Sequence, residues 1–285
     1  MEKKIAIIGG DLRIGLLAEL LAKENWQVQT YGLENYEAKE QIEKTTDLSE
    51  LCKQAKLVFS AVPLSKDGSK INAPFAQKEI PLKKVLEEME EGIFLAGGIK
   101  AEWKKEYETK IQFVDLLEDE RLTIQNAIST AEGAIQKILE KTVSTIYRSK
   151  ILILGFGRIG KLLANRLEKF GAEIWCEARK QEDLTWIEAY GYHPVALSEL
   201  KQIDLSTFSI VANTIPHIVL KQEEIAKLNP DCYVIDLASS PGGVDQEEIG
   251  KRGITFDWAL ALPGKVAPKT SAEFLKQAFD RFQMQ

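Results

Sequence analysis

The chain is predicted to fold as two doubly wound, Rossmann-like α/β domains with parallel sheets, joined by a long connecting helix and closed by a C-terminal return helix. Three observations carry this expectation. The apolar run 151–154 enters a Gly155-x-Gly157-x-x-Gly160 turn, and an amphipathic helix leaves it. That strand–turn–helix context is the one in which the motif holds a dinucleotide. The first half repeats the pattern: residues 5–8 enter Gly9-Gly10-Asp11, and Arg13-Ile14-Gly15 echoes Arg158-Ile159-Gly160. Strands alternate with helices in both halves, which implies parallel sheets covered on both faces.

The elements follow in order. In the first half, residues 27–31 read as a strand, and Asp47-Leu-Ser-Glu50 opens a helix with a capping-box pattern. Residues 57–62 form a strand ending at Pro63, and residues 93–96 form one running into Gly97-Gly98. Between the halves, Ile124, Ala127, Ile128, Ala131, Ile135, Ile138, Leu139 and Ile146 recur at helical spacing. Gly133 is a weak point in that helix, and Ser129-Thr130 is where it is expected to open, with Thr130 capping a second segment. In the second half, the helix 161–170 stops at Gly171, a good C′ glycine. A strand at 173–176 follows, and Ser198-Glu-Leu opens a helix. The strand 208–215 ends at Pro216, and residues 233–237 form the next. Thr270-Ser-Ala-Glu273 opens a terminal helix whose apolar face, with Phe274, Leu275, Ala278, Phe279 and Phe282, packs back on the first domain. Ligands of open α/β sheets bind beyond the carboxyl ends of the strands, so both domains are expected to present those ends to a shared cleft.

Bulk properties narrow the function classes. The 285 residues suffice for two α/β domains with sizeable cores. Charged residues make up 28% and hydrophobic ones 45%, and the net charge of −6 gives no support to nucleic-acid binding. No apolar stretch is long enough to span a bilayer. The N-terminal apolar run is too short for a signal sequence and breaks at Gly9-Gly10-Asp11. Cys52, Cys176 and Cys232 form an odd set without a C-x-x-C pair, as reduced thiols of a cytoplasmic protein do. His193 and His217 are too few for a metal cluster, and no metal is expected.

The second turn names its ligand. Gly155 permits the tight turn, Gly157 admits a pyrophosphate close to the backbone, and Gly160 lets the helix approach the strand. The N-terminus of the helix, with Arg158 and Ile159 in its first turn, faces the phosphates. In NAD enzymes an Asp or Glu about 20 residues on accepts from the ribose 2′-OH. Ala178 aligns there, followed by Arg179 and Lys180. A small residue leaves room for a 2′-phosphate, and the two cations attract it, so the cofactor is read as NADP. Glu177 is the alternative ribose acid if the register shifts by one. Asn213, Thr214, Ile215 and Pro216, with Asp236, Leu237 and Ala238, end the next strands and are expected against the cofactor. Asp11 in the first turn would repel a pyrophosphate, so that domain keeps the fold and takes the substrate; Asp11 equally fits a helix N-cap. The domains are then 1–122 (Rossmann-like substrate domain), 123–147 (connecting helix), 148–266 (NADP-binding domain) and 267–285 (return helix).

Arg13 is a candidate carboxylate grip, though its stem also fits plain packing. Ser65, in Ser65-Lys66-Asp67-Gly68, follows a strand end. Lys100 closes Gly97-Gly98-Ile99-Lys100, whose N–H groups could form an anion nest. Ser129 and Thr130 offer hydroxyls where the connector opens, and ordinary capping is the simpler reading. His217 and Lys265 are candidate acid–base groups; a structural role is the simpler reading of His217, and a surface role suits Lys265 equally. Trp258 reads as core.

Four stretches in order resemble dipicolinate synthase, in its A-type component. They are Gly9-Gly10-Asp11-Leu-Arg13, Asn126-Ala-Ile-Ser-Thr130-Ala-Glu132-Gly133-Ala-Ile, Asp236-Leu-Ala-Ser-Ser-Pro241-Gly242-Gly243 and Leu262-Pro263-Gly264-Lys265-Val-Ala-Pro268-Lys-Thr270. The resemblance implies an NADP-dependent oxidoreductase subunit in the cytoplasm of the mother cell of a sporulating bacterium. It would convert a dihydrodipicolinate-type intermediate of the lysine pathway to dipicolinate. It also implies a small dicarboxylate as substrate and an oligomeric assembly in which the second component is a flavodoxin-like flavoprotein. Two alternatives stay open on the residues alone. One is an NADP-binding regulatory protein without its own catalysis. The other is a 2-hydroxy-acid dehydrogenase, against which stands the lack of any histidine after His217.

Overall fold

A computed structural model of the chain describes residues 3–284. The chain divides into two compact units: residues up to Gln125 together with Ala267 onward, and Asn126–Val266. The first unit runs β1 (Lys4–Ile8), α1 (Leu12–Lys23), β2 (Gln27–Tyr31), β3 (Glu43–Lys44), α2 (Leu48–Gln54), β4 (Leu57–Ser60), α3 (Leu82–Glu88), β5 (Gly92–Ala96), α4 (Ala101–Tyr107) and β6 (Ile111–Asp115). Helix α5 (Glu120–Lys141) carries the chain into the second unit. There follow β7 (Lys150–Leu154), α6 (Arg158–Lys169), β8 (Glu173–Ala178), α7 (Gln181–Ala189), β9 (His193–Ala196), β10 (Ile210–Asn213), α8 (Gln222–Ala226), β11 (Tyr233–Asp236), α9 (Gln246–Lys251), β12 (Thr255–Trp258) and α10 (Leu262–Val266). The last helix, α11 (Pro268–Gln283), returns to the first unit.

The sheets are ordered β3-β2-β1-β4-β5-β6 and β12-β11-β10-β7-β8-β9, and all their neighbouring strands run parallel. Counted from the strand that enters each glycine turn, both have the doubly wound order 3-2-1-4-5-6, so the fold class read from the sequence holds. Burial on both faces explains the unbroken apolar runs that reveal the central strands. Ile151 and Ile153 of β7 enter one core while Leu152 and Leu154 enter another. Ile5 and Ile7 of β1 divide in the same way from Ala6 and Ile8.

Local chemistry sets the ends. Asp47 caps α2 by accepting from Glu50 N at 3.0 Å, and Gly171 follows α6 at φ 81°, both as expected. Other boundaries differ. α5 runs unbroken through Ser129-Thr130: the Thr130 hydroxyl donates back to the Asn126 carbonyl at 2.9 Å, a bond made within a continuous helix. No N–H group is therefore freed there for a carboxylate. Gly133 belongs to that helix because a Cβ would stand 3.0 Å from Val266 and 3.2 Å from Leu262. Residues 197–199 form only a 3-10 turn. α11 begins at Pro268, before the capping box, since proline suits the first helical position.

α11 completes the first unit. Phe279 is fully buried, meeting Trp26 edge-on at 5.2 Å and Phe59 at 6.3 Å. Lys276 bridges Glu24 and Asp280, both at 2.7 Å, and Arg281 pairs with Asp119. Among the described residues, no helix is long and apolar enough to cross a membrane, and no group of His, Cys, Asp and Glu is gathered to hold a metal.

Candidate functional site

The two glycine turns share a backbone plan and differ in what fills them. In the second unit Gly155 lies at φ 91°, and a Cβ there would come within 2.5 Å of Thr214 Oγ1. A Cβ on Gly160 would overlap the Gly155 carbonyl at 2.1 Å, so the glycine lets α6 press onto the turn. Gly157 is different. It is the N-cap of α6, no side chain caps the helix there, and nothing lies within 4 Å of where its Cβ would be. The positive end of α6 thus opens onto free space, the arrangement that receives a phosphate.

In the first unit the equivalent N-cap is Asp11. Its carboxylate accepts from Arg13 N at 3.1 Å, from Arg13 Nε at 3.0 and 3.1 Å, and from Nη2 at 2.8 Å. Arg13 is 4% exposed, and its Nη2 also donates to the Val62 carbonyl. The guanidinium expected as a carboxylate grip is thus engaged in joining α1 to the end of β4. The chain's own residues 71–77 lie over this turn. Gly10 N donates to Asn72 O at 2.8 Å, and a Cβ on Gly9 would meet Ile71 at 2.6 Å. Glu34, just past β2, accepts from Gly32 N at 2.8 Å and Gln77 N at 3.0 Å. The turn that is open in the second unit is closed here by a self-contact as well as by Asp11.

Beyond the open turn, β8 ends at the buried Ala178, and Arg179 and Lys180 are exposed. Glu177 faces inward: its Oε2 accepts from Gly155 N at 3.1 Å, while Oε1 is buried without a partner. Burial pushes its carboxyl above the usual range, opposed by the Gly155 N–H and by Arg179. A raised folded-state pKa stabilises the fold below the unfolded value, and that contribution is lost as pH rises through the folded value. Glu177→Gln is therefore expected to raise Tm at pH 7–8 and to flatten its decline from pH 5 to 8, as thermal melts in a pH series will show. An unchanged profile would contradict the assignment.

Asn213 and Asp236 are fully buried and bonded to each other at 2.7 Å. Asp236 also accepts from Ala238 N at 3.0 Å and Gly243 N at 2.7 Å, and Asn213 bonds both polar backbone groups of Ile215. This brace fixes the loops that follow β10 and β11, with Thr214, Ile215, Pro216, Leu237 and Ala238 upon it. Two further participants, Gly243 and Trp258, are not among the site residues expected from the sequence. A Cβ on Gly243 would stand 2.2 Å from Asn213 Nδ2, and Trp258 Nε1 donates to Ala238 O at 2.9 Å. The Pro241-Gly242-Gly243 run was the available signal.

Of the remaining candidates, Ser65 and Lys100 share one cavity lining and the others are scattered. His217 is exposed beyond Pro216, Lys265 is exposed in α10, and Ser129 and Thr130 are buried within α5. Arg158 opens α6, and Ile159 packs on the core. The expected anion nest after β5 is already filled from within, because Gly98 N and Ile99 N both donate to Asp115 at 2.8 Å. The Ser65 hydroxyl accepts from Gly68 N at 2.8 Å and donates to Asp67 at 3.2 Å.

Comparison with known proteins matches this division. Residues 4–117 fit the family model of the N-terminal domain of the dipicolinate synthase A subunit. Residues 115–249 fit that of the D-isomer specific 2-hydroxyacid dehydrogenase NAD-binding domain. The dipicolinate synthase A subunit of Bacillus subtilis is 29% identical over 282 residues, covering 98% of this chain and 95% of the relative. The crystal structure of the dipicolinate synthase A subunit from Bacillus halodurans superposes with a TM-score of 0.88 at 26% identity, over 100% of this chain and 99% of the other. That of its Bacillus subtilis counterpart gives 0.87 at 27% identity, over 100% and 96%. With its second unit matching a dehydrogenase-type NAD-binding domain, the chain is similar over its full length, in both sequence and structure, to dipicolinate synthase A subunits.

Proposed function

We propose that the chain is an NADP-dependent oxidoreductase that converts a dihydrodipicolinate-type intermediate of the lysine pathway to dipicolinate. The observation that carries this is the uncapped, unobstructed N-terminus of α6 at Gly157, followed at the end of β8 by Ala178-Arg179-Lys180. Gly157 and the first turn of α6 would hold the pyrophosphate, and Arg179 and Lys180 the 2′-phosphate. The Asn213–Asp236 brace keeps the loops after β10 and β11 in place beside them. When bound, the nicotinamide supplies a hydride acceptor. A dihydropyridine dicarboxylate that yields a hydride and a proton becomes aromatic, so orientation and carboxylate binding are the main tasks left to the protein. The dipicolinate synthase type of the first unit supports this reading over a 2-hydroxy-acid dehydrogenase. The relatives are named as A subunits, and their complement is proposed to be a flavodoxin-like flavoprotein.

The test is direct. The purified chain is given enzymatically made dihydrodipicolinate and NADP, with and without the flavoprotein, and NADPH and dipicolinate absorbance are followed. Turnover coupled to NADPH formation is the expected result. Tight NADP binding with no turnover in any combination would replace the proposal by a regulatory role.

A further inference from the structure

The first unit carries a separate small cavity, about 170 Å³, at the edge where β4 and β5 end. Ser65, Lys66, Asp67, Gly68, Lys100 and Trp103 line it. The sequence placed Ser65-Lys66-Asp67-Gly68 and Lys100 in two unrelated loops, and the fold brings them face to face. Lys100 extends over Gly68 so closely that a Cβ on Gly68, at φ 83°, would stand 2.4 Å from its Nζ.

The hydrogen-bond inventory of this cavity is lopsided. Asp67 is the acid of the lining, and its Oδ1 is turned into its own loop. It accepts there from Ser69 N at 2.8 Å, Ser69 Oγ at 2.9 Å, Lys70 N at 3.0 Å and Ser65 Oγ at 3.2 Å. Those donors hold its carboxyl well below the usual range, so it stays ionised and fixed. The nearby Asp115 is likewise taken up by Gly98 N and Ile99 N. Donors, by contrast, are left over. Two lysines line the cavity against one carboxylate, and Trp103 forms part of its wall. A surplus of donors is the complement of a ligand made of acceptors, and a carboxylate supplies two acceptor oxygens and a charge.

We propose that this cavity is a carboxylate subsite for a small aromatic or dihydroaromatic dicarboxylate, with Lys100 and Lys66 holding one carboxylate beside the Trp103 indole. The ligand class rests on the function proposed above; the subsite itself rests on the residues of the first unit. Ser65 and Gly68 are positioning residues. The Ser65 hydroxyl holds the loop, and the missing Gly68 side chain leaves room for the Lys100 ammonium.

Pyridine-2,6-dicarboxylate is the probe, titrated into the full chain by calorimetry with and without NADPH, with inorganic phosphate as a competitor. Lys100→Met is expected to weaken dicarboxylate binding at least 10-fold and leave the NADPH affinity unchanged. Gly68→Ala, which removes no charge, should weaken it several-fold by displacing the ammonium, and Trp103→Phe should abolish the change in tryptophan emission on binding. Wild-type affinity in a Lys66→Met, Lys100→Met double variant would overturn the proposal. So would a wild-type chain that takes no dicarboxylate, or displacement by phosphate at equal affinity. A chain that binds the dicarboxylate through Lys100 but binds no pyridine nucleotide would sink the proposed function and leave the subsite standing.

Discussion

Gly157→Asp should remove NADP(H) binding while leaving the fold intact. The substitution copies into the second unit the N-cap that Asp11 provides in the first. Gly157 has φ −84° and ψ −159°, open to any residue, and nothing lies within 4 Å of the new Cβ. Asp is among the best N-caps, better than Gly by a few tenths of a kcal/mol, so Tm should hold or rise slightly. The same carboxylate would sit where the pyrophosphate approaches. Two like charges about 4 Å apart repel by ~4 kcal/mol at an effective dielectric of 20. An affinity loss of roughly 100-fold or more follows, at about 1.4 kcal/mol per decade. Fluorescence titration with NADPH, paired with thermal melts, separates the two effects. A variant that binds NADPH normally would show that the turn is not the phosphate site.

Arg179→Ala combined with Lys180→Ala should lower NADPH affinity about 10- to 100-fold and leave NADH nearly unchanged, since a hydrogen bond to a charged group contributes roughly 1.5–3 kcal/mol. Both residues are exposed and lie just past β8, so their loss leaves the sheet alone. Ala178→Asp is the reciprocal change, because a carboxylate at that strand end disfavours a 2′-phosphate and accepts from a ribose hydroxyl. Parallel titrations with both nucleotides decide the matter. Equal losses for NADPH and NADH would mean that the pair touches a part common to both, and the cofactor would no longer be read as NADP.

The parts of this fold that were legible from sequence are those with internal regularity. β1 and β7 are apolar on both faces, and α6 and α11 carry an apolar stripe, so periodicity alone located them. Edge strand β3 escaped notice because it is short and polar: it is only Glu43–Lys44, with both residues exposed. Turn geometry was legible where one stretch held all its determinants, as at Gly155, Gly157 and Gly160. It was illegible where partners lie far apart in the chain. The Gly97-Gly98 turn advertised free N–H groups, but its anion is Asp115, 17 residues on from Gly98. Arg13 looked available until the Val62 carbonyl, 49 residues away, was seen to hold it. Residues 71–73 cover the first turn with the Ile71 and Ala73 side chains and the Asn72 carbonyl, and they lie far along the chain from Gly9 and Gly10.

The return of α11 has a consequence for biosynthesis. The second unit is one uninterrupted stretch, whereas the first is assembled from two stretches that flank it in the chain. On the ribosome, the earlier-made stretch waits with Leu17, Leu21 and Phe59 uncovered until the 16-residue α11 leaves the exit tunnel. Domains generally fold as they are synthesised, N-terminal first; here that order is inverted, and a nascent chain stalled before Pro268 would present a greasy groove to chaperones and proteases.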